Sequence, residues 1–160
     1  MTLPVPTFGI EEEFFLVHSQ TRQLVRQVPA RLMRECQRRL GSVVCPELLQ
    51  SQIEVASPIF HDSAQACAEL PDLRRQIASV AEDMVLRLVA AGTHPMGRWR
   101  VQNVTRRARY ARMAEDFQII GRRNALCGLH VHCAVPAGHD RVALMNRLLP
   151  WLPVFLALST

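Results

Sequence analysis

Acidic and imidazole side chains recur at alternate positions in three short segments of the sequence. The first segment carries Glu11 and Glu13, the second carries Glu54, and the third carries His130 and His132. Residues two apart in a strand project to the same face about 6–7 Å apart. At that spacing two carboxylates can flank one divalent cation or bracket a pair of cations. The three segments together therefore predict a metal site.

The donor set indicates which cation the site would hold. Carboxylates joined by one or two imidazoles suit Mg²⁺ or Mn²⁺, whereas Zn²⁺ prefers thiolates or a tighter histidine set. A cation would also supply the positive charge that the run FGIEEEFFL at positions 8–16 requires, because ionised carboxylates are costly to desolvate alone. Solvated surface positions for these acids and histidines remain the alternative. Glu12 falls on the apolar face of its strand, where we expect it to pair with an arginine.

Three strands are needed to position these groups, and alternating periodicity predicts them at about 8–17, 50–57 and 126–135. Helical spacing predicts helices at Ala30–Leu40, from Asp62 to Gly92, at about Arg107–Arg123, and from about Asp140 onward. Pro71 is expected to kink or divide the second helix. Strands and helices mix without a regular βαβ rhythm, which favours an α+β fold with a mainly antiparallel sheet and helices packed on one side.

Composition limits the class of protein. A chain of 160 residues that is 49% hydrophobic and 21% charged can bury the core of one globular domain. Its five cysteines form no CxxC pair, which fits a reducing compartment. No secretory signal is visible, and the apolar stretch Leu148–Leu158 contains two prolines and is short for a bilayer span. We therefore expect a soluble cytoplasmic protein.

All nineteen basic residues are arginines. A P-loop and Schiff-base chemistry, which both need lysine, are thereby excluded. Eight arginines fall in the segment Arg98–Arg123 beside only Glu115 and Asp116. Such a segment could bind nucleic acid, hold a triphosphate and a substrate carboxylate, or form a solvated helix face. The acids of the predicted metal site favour a nucleoside triphosphate, because they would repel a polyanion that no cation bridged.

Five short motifs occur in an order that resembles one protein family. They are GIEEEF at 9–14, QSQIE at 50–54, AAGTHP at 90–95, RY at 109–110 and CGLHVH at 127–132. This order is similar to that of bacterial carboxylate–amine ligases, which are relatives of glutamate–cysteine ligase with a glutamine-synthetase-like catalytic fold. The resemblance runs from Phe8 to the last residue. It implies that residues 1–160 are the N-terminal part of such a catalytic domain and that the fold is incomplete.

The resemblance also implies a reaction and a set of site residues. The family joins a carboxylate, typically the γ-carboxylate of glutamate, to an amine such as that of cysteine through an acyl phosphate, using ATP and Mg²⁺. The implied metal ligands are Glu11, Glu13, Glu54 and His130. The implied nucleotide-binding residues are Glu11, Glu54 and His132, and the implied catalytic residues are Arg109 and Arg112.

Several other functions stay open at this point. The chain could be a non-catalytic fragment, a metal-dependent hydrolase or a nucleic-acid-binding module. Cys133-Ala134 stands where the family often has Val-Gly, which would tighten a close backbone approach. The expected partners are amino acids and ATP, with neither nucleic acid nor membrane. We also expect a homo-oligomer, because an unpaired sheet edge and an apolar tail favour association.

Overall fold

A central strand, β1 (Phe8–His18), pairs antiparallel with three other strands of a five-stranded sheet. One side of β1 pairs with β3 (Gln52–Ala56), which pairs in turn with β2 (Val44–Pro46). The other side of β1 is shared by two strands. Its C-terminal half pairs with β4 (Leu86–Val89) and its N-terminal half pairs with β5 (Leu129–Cys133).

The computed structural model describes residues 6–105, 110, 112 and 125–159. Within these ranges the helices are α1 (Ala30–Leu40), α2 (Ser63–Glu82), α3 (Arg141–Leu148) and α4 (Leu152–Leu158). Short 3₁₀ turns lie at Gly41–Val43, Trp99–Val101 and Leu149–Trp151. The helix predicted at about 107–123 falls mostly outside the described residues, although Tyr110 and Arg112 are helical.

Helices α1 and α2 cover one face of the sheet. The core between them contains Phe14, Leu16, Ile53, Val55, Leu32, Cys36, Ile77 and Val80. Strand side chains alternate between the two faces, so the neighbours of these core residues on β1 and β3 point to the opposite face. The predicted α+β fold, with an antiparallel sheet and helices on one side, is confirmed.

Local signals set the ends of the first two helices. Gly41 follows α1 with a φ of 67°, a left-handed conformation in which glycine carries little strain. At the start of α2, the Asp62 side chain accepts a hydrogen bond from the Gln65 backbone N–H at 2.8 Å. Both helix starts and the end of α1 lie where the sequence predicts them.

The predicted continuation of the second helix to Gly92 is wrong. Helix α2 ends at Glu82, and Val85 adopts a φ of 59° just before β4 begins. Helical spacing places Leu86–Val89 in the helix because Leu88 continues its apolar stripe, but the segment forms β4. The segment forms a strand because it pairs with the C-terminal half of β1. Without this pairing, the backbone N–H and C=O groups on that edge of β1 would have no hydrogen-bond partners. Pro71 does not divide α2 into two helices, because the helix continues through this residue.

The predicted C-terminal helix near Asp140 is confirmed as α3, a 3₁₀ turn and α4. Every residue from 141 to 159 is exposed, including all the large apolar side chains of the segment. The span Arg141–Leu158 is long and apolar enough to cross a membrane by length and composition, with a mean hydropathy of 1.3. A single such helix is weak evidence, because core helices of soluble proteins pass the same test.

The ion pair expected for Glu12 is present and joins the sheet to α2. Glu12 is 3% exposed, and its two carboxylate oxygens accept hydrogen bonds from Nε and Nη2 of Arg74, the first at 3.0 Å. The bidentate arrangement neutralises a carboxylate that would otherwise be buried among apolar side chains. Glu12 therefore acts in the structure of the fold.

Substituting Arg74→Met should leave the Glu12 carboxylate buried without a partner. We expect the free energy of unfolding to fall by about 2–3 kcal/mol, less than for a fully buried pair because the Arg74 side chain is 44% exposed. Urea denaturation followed by circular dichroism measures the loss. The matched control is Arg75→Met, which removes a surface pair with Asp72 and should change stability by less than about 0.5 kcal/mol. Equal losses in the two variants would contradict a structural role for the Glu12–Arg74 pair.

Candidate functional site

One carboxylate and two imidazoles meet on the sheet face that α1 and α2 leave open. The β1–β5 register sets Glu11 opposite His130 and Gly9 opposite His132, so the three side chains share that face. Glu11 Oε2 lies 2.9 Å from His132 Nε2 and 3.4 Å from His130 Nδ1. One ligand atom from each residue lies within 4.8 Å of the other two. We call these residues the Glu11–His130–His132 cluster.

The imidazoles keep the Glu11 carboxylate ionised. The hydrogen bond from His132 is the main cause that lowers the pKa of Glu11, and His130 lowers it further, while partial burial opposes both. The side chains of Glu11, His130 and His132 are 35%, 54% and 61% exposed. The cluster therefore combines an anionic oxygen with two nitrogen donors in a place that a solute can reach.

Glu13 is bound to the segment that precedes β5. Its Oε2 accepts a hydrogen bond from the Gly128 N–H at 2.9 Å, and its own N–H donates to the Gly128 carbonyl at 3.0 Å. A Cβ at position 128 would lie 2.8 Å from Nε2 of His130. Glycine at this position thus leaves room for the imidazole while its backbone holds the carboxylate.

Gln52 supports the same segment from β3, a role that the sequence analysis missed. Its buried side-chain amide donates to the Leu126 carbonyl at 2.5 Å and to Cys127 Sγ at 3.1 Å. Burial raises the pKa of the Cys127 thiol to about 12, so this sulfur stays protonated. The glutamine inside the strand pattern QSQIE is the sequence feature that indicates this role. A polar side chain in a buried strand needs hydrogen-bond partners, which a neighbouring segment must supply.

Glu54 lies opposite Glu13 in the β1–β3 register, on the same sheet face. A hydrogen bond with the Glu47 carboxyl is the main cause that raises the pKa of Glu54 to about 7, and burial and the Glu47 charge add to the rise. The Glu54 carboxyl therefore keeps its proton to a higher pH than a solvated carboxyl does. Glu47 was also missed, because it follows the three-residue strand β2, which is too short to show a period.

The arginines proposed for catalysis are only partly described. Arg109 lies outside the described residues, and Arg112 occupies an exposed helical position. Its neighbour Tyr110 is 2% exposed and donates a hydrogen bond to Glu47 Oε2 at 3.4 Å. Tyr110 therefore contacts Glu47, the same carboxyl group that lies beside Glu54. The structure places five of the predicted site residues on one face of the sheet: Glu11, Glu13, Glu54, His130 and His132. Of these, it brings Glu11, His130 and His132 into direct contact.

A cleft of about 860 Å³ lies at the opposite end of β1. It is lined by His18, Arg26, Met84, Val85 and the loop at positions 19–27. None of its lining residues carries a carboxylate. The cleft therefore offers no carboxylate to a cation, whereas the sheet face that carries Glu11, Glu13 and Glu54 offers three.

A protein-family comparison matches nearly the whole chain. The model of the family described as glutamate-cysteine ligase family 2 matches residues 7–160. A Pseudomonas aeruginosa protein named "Putative glutamate--cysteine ligase 2" is 43% identical over 152 residues, which are 95% of this chain and 40% of that protein. A protein of the same name from Bradyrhizobium sp. is 44% identical over 153 residues, or 96% of this chain and 38% of that protein. The chain thus spans about 40% of the length of these relatives.

Two solved structures share the fold at low sequence identity. A glutamate–cysteine ligase from Francisella tularensis in complex with AMP has a TM-score of 0.62 and 11% identity over 94% of this chain and 30% of its own. A bifunctional glutathione synthetase from Pasteurella multocida has a TM-score of 0.54 and 16% identity over 91% of this chain and 18% of its own. This likeness shows the fold alone.

The raised pKa of Glu54 predicts a specific pH dependence of stability. Since the pKa of Glu54 is raised from 4.5 to about 7, the folded state retains a proton that the unfolded chain releases. The contribution of Glu54 to the free energy of unfolding should therefore be most favourable below about pH 4.5 and fall as the pH rises to about 7. Glu54→Gln keeps a neutral hydrogen-bonding group and should remove this part of the slope in urea titrations. Glu82→Gln, an exposed control on α2, should retain it, and an unchanged slope in Glu54→Gln would contradict the raised pKa of Glu54.

Proposed function

The chain belongs to glutamate–cysteine ligase family 2, and from this premise we propose that it is the N-terminal part of an ATP- and Mg²⁺-dependent carboxylate–amine ligase. The substrates that fit the family are the γ-carboxylate of glutamate and the amine of cysteine. The observation that carries the proposal is the convergence of Glu11, Glu13, Glu54 and His130 on the open face of the sheet. Supporting it, the Francisella tularensis relative was solved with AMP.

The reaction would proceed in two steps. A carboxylate oxygen of the acid substrate attacks the γ-phosphorus of ATP, which releases ADP and leaves an acyl phosphate. The amine then attacks the acyl carbon, loses a proton and displaces phosphate as the amide forms. Charge on the transferring phosphoryl group must be balanced by cations, and this positioning and charge balance supply most of the catalysis in phosphoryl transfer.

The donor set suits Mg²⁺, which prefers oxygen ligands. In this proposal Glu11, Glu13, Glu54 and His130 hold the ion, and bound Mg²⁺ would withdraw charge from the phosphate oxygens. The pKa of Glu11 is lowered by its imidazole neighbours, whereas Glu54, whose pKa is raised to about 7, must lose its proton before it can bind a cation.

The remaining proposed residues act on the nucleotide and on the developing charge. We assign His132, with Glu11 and Glu54, to nucleotide binding, because His132 is the most exposed member of the cluster and an imidazole can donate to phosphate. We assign Arg109 and Arg112 to neutralising the transferred phosphoryl group, since a guanidinium binds phosphate oxygens in a bidentate manner. A cytoplasmic location fits the need for ATP and the five cysteines, which form no disulfide with one another.

An ADP-release assay tests the proposal. Mg²⁺, ATP, glutamate and a panel of amines are supplied to the chain, and to a fusion of the chain with the remainder of the Pseudomonas aeruginosa relative. We expect ADP release that depends on the amine, and a loss of about 100-fold in Glu13→Gln, because this substitution would weaken the binding of the Mg²⁺ that balances charge in the transition state.

His18→Gln, at the far end of β1, is the matched control and should keep its activity. The proposal fails if neither protein releases ADP in response to any amine. Ester or phosphate hydrolysis without ATP would instead indicate a metal-dependent hydrolase.

We further propose that the exposed apolar surface of α3 and α4 is covered by a second copy of the chain. Soluble monomers rarely expose contiguous apolar patches above a few hundred Å², and Trp151, Leu152 and Phe155 are each more than half exposed. Sedimentation velocity should therefore show dimers or larger species. Phe155→Glu should shift them toward monomer and Arg147→Glu, on the same segment, should not. A monomeric wild-type chain would contradict this assembly.

A further inference from the structure

We propose that a second cleft, separate from the sheet face assigned to Mg²⁺ and the nucleotide, binds a small organic anion that carries a phosphate group or two carboxylates. The cleft has a volume of about 710 Å³ and lies between the loop at positions 23–26 and the segment at positions 95–102. Arg26 and Arg98 line it, and none of its described lining residues carries a carboxylate. We call it the Arg26–Arg98 cleft. A guanidinium binds phosphate or carboxylate oxygens through two parallel hydrogen bonds, so a pair of arginines suits a ligand with two negative charges.

The protein does not neutralise the positive charge of this cleft with its own described acids. Five other described arginines each form an ion pair with a carboxylate: Arg38, Arg39, Arg74, Arg75 and Arg87. Within the part of the chain that the structure describes, neither Arg26 nor Arg98 forms such a pair, and both residues are exposed. The formal net charge of +5 adds to the attraction for an anion. Both guanidinium groups are therefore available to a ligand.

The wall of the cleft that carries Arg26 is fixed to β1. Leu24 pairs with Val17 in an antiparallel bridge, and the Val25 N–H donates a hydrogen bond to the Leu16 carbonyl at 3.0 Å. Val25 is also buried in the core. Because these contacts already hold the backbone in place, ligand binding has to order little more than the arginine side chains.

The wall that carries Arg98 begins with a tight turn packed against the first wall. The Gly97 N–H donates a hydrogen bond to the His94 carbonyl at 3.0 Å. A Cβ at position 97 would lie 3.0 Å from Leu24 Cδ1 and 3.1 Å from the Cβ of His94. Glycine at this position therefore permits the close approach of the two walls, and this approach places Arg98 in the same cleft as Arg26.

The Arg26–Arg98 cleft lies at a distance from the groups assigned to Mg²⁺. Val17, which pairs with the first wall, is four residues beyond Glu13 and six beyond Glu11 on β1, or about 13 Å and about 20 Å along the strand. A ligand in the cleft therefore need not touch the metal ligands. The inference goes beyond the proposed ligase reaction and requires neither Mg²⁺ nor ATP.

The size and lining of the cleft indicate an organic anion rather than a lone inorganic ion. Sites for small molecules have volumes of about 300–1,000 Å³, and this cleft falls within that range. Gln23 and Gln102 contribute side-chain amides, and Leu24, Met96 and Val101 contribute apolar surface. The amides can hydrogen-bond to the body of a ligand whose charged groups bind the arginines.

Calorimetric titration of the 160-residue chain tests this inference, in about 0.15 M NaCl so that non-specific attraction is screened. The probes are glycerol phosphate, which carries a phosphate group, and glutarate, which carries two carboxylates; Mg²⁺ and ATP are left out. We expect at least one probe to bind. Arg26→Gln and Arg98→Gln should each weaken that binding by about tenfold, because each substitution removes charged hydrogen bonds to the anion.

Arg22→Gln is the matched control, because Arg22 is an exposed arginine of the same loop that does not line the cleft. This variant should bind the probe as tightly as the unchanged chain. Circular dichroism checks that each variant is folded, and substitution at the exposed Arg26 and Arg98 spares the core. Binding of one probe alone would support the site and identify the charged group that it takes.

Three results would overturn the inference: no binding of either probe, a loss in Arg22→Gln as large as in the other variants, or a loss confined to one of Arg26→Gln and Arg98→Gln. A chain that binds a probe through both arginines but releases no ADP would retain the anion site and lose the ligase proposal. The two failures are therefore distinguishable.

Discussion

Backbone pairing on both sides of β1 is the constraint on which the candidate site depends. Pairing with β3 sets Glu54 opposite Glu13, and pairing with β5 sets His130 opposite Glu11. Side chains alternate along a strand, so a slip of one residue in either register would send that strand's ligands to the helix-covered face. The burial of Ile53 and Val55 under α1 and α2 opposes such a slip on β3. The hydrophobic core therefore also fixes the positions of the polar groups.

Three adjacent glutamates on β1 have three different environments. Glu12 is buried and neutralised by Arg74, which links the sheet to α2. Glu11 is ionised beside two imidazoles, and Glu13 accepts a hydrogen bond from a backbone N–H. Because side chains alternate along a strand, Glu12 lies on the face covered by the helices and stabilises the fold, whereas Glu11 and Glu13 lie on the face of the candidate site. Each carboxylate of the acidic run therefore has its own stabilising partner: a guanidinium, a pair of imidazoles or a backbone N–H.

Family membership and local geometry supply different parts of the functional argument. Membership indicates the class of reaction, and the solved structures show that the fold is shared. Geometry adds that the acids are not equivalent, because the pKa of Glu54 is raised beside Glu47 while the pKa of Glu11 is lowered beside two imidazoles. A cation that used Glu54 as a ligand would therefore have to displace its proton near neutral pH.

The sequence by itself determined the alternating strands, the acids and histidines that share a face, the pairing of Glu12 with an arginine, and the family. Each depends on periodicity or on motifs, which are local properties. Only the tertiary structure decided that Leu86–Val89 is a strand, because that segment satisfies two periods and its pairing with β1 is a distant contact. The roles of Glu47 and Gln52 likewise needed the fold, since their partners are a neighbouring strand residue and a segment about 75 positions away. Patterns in the chain state which side chains can meet, but long-range packing decides which of them do.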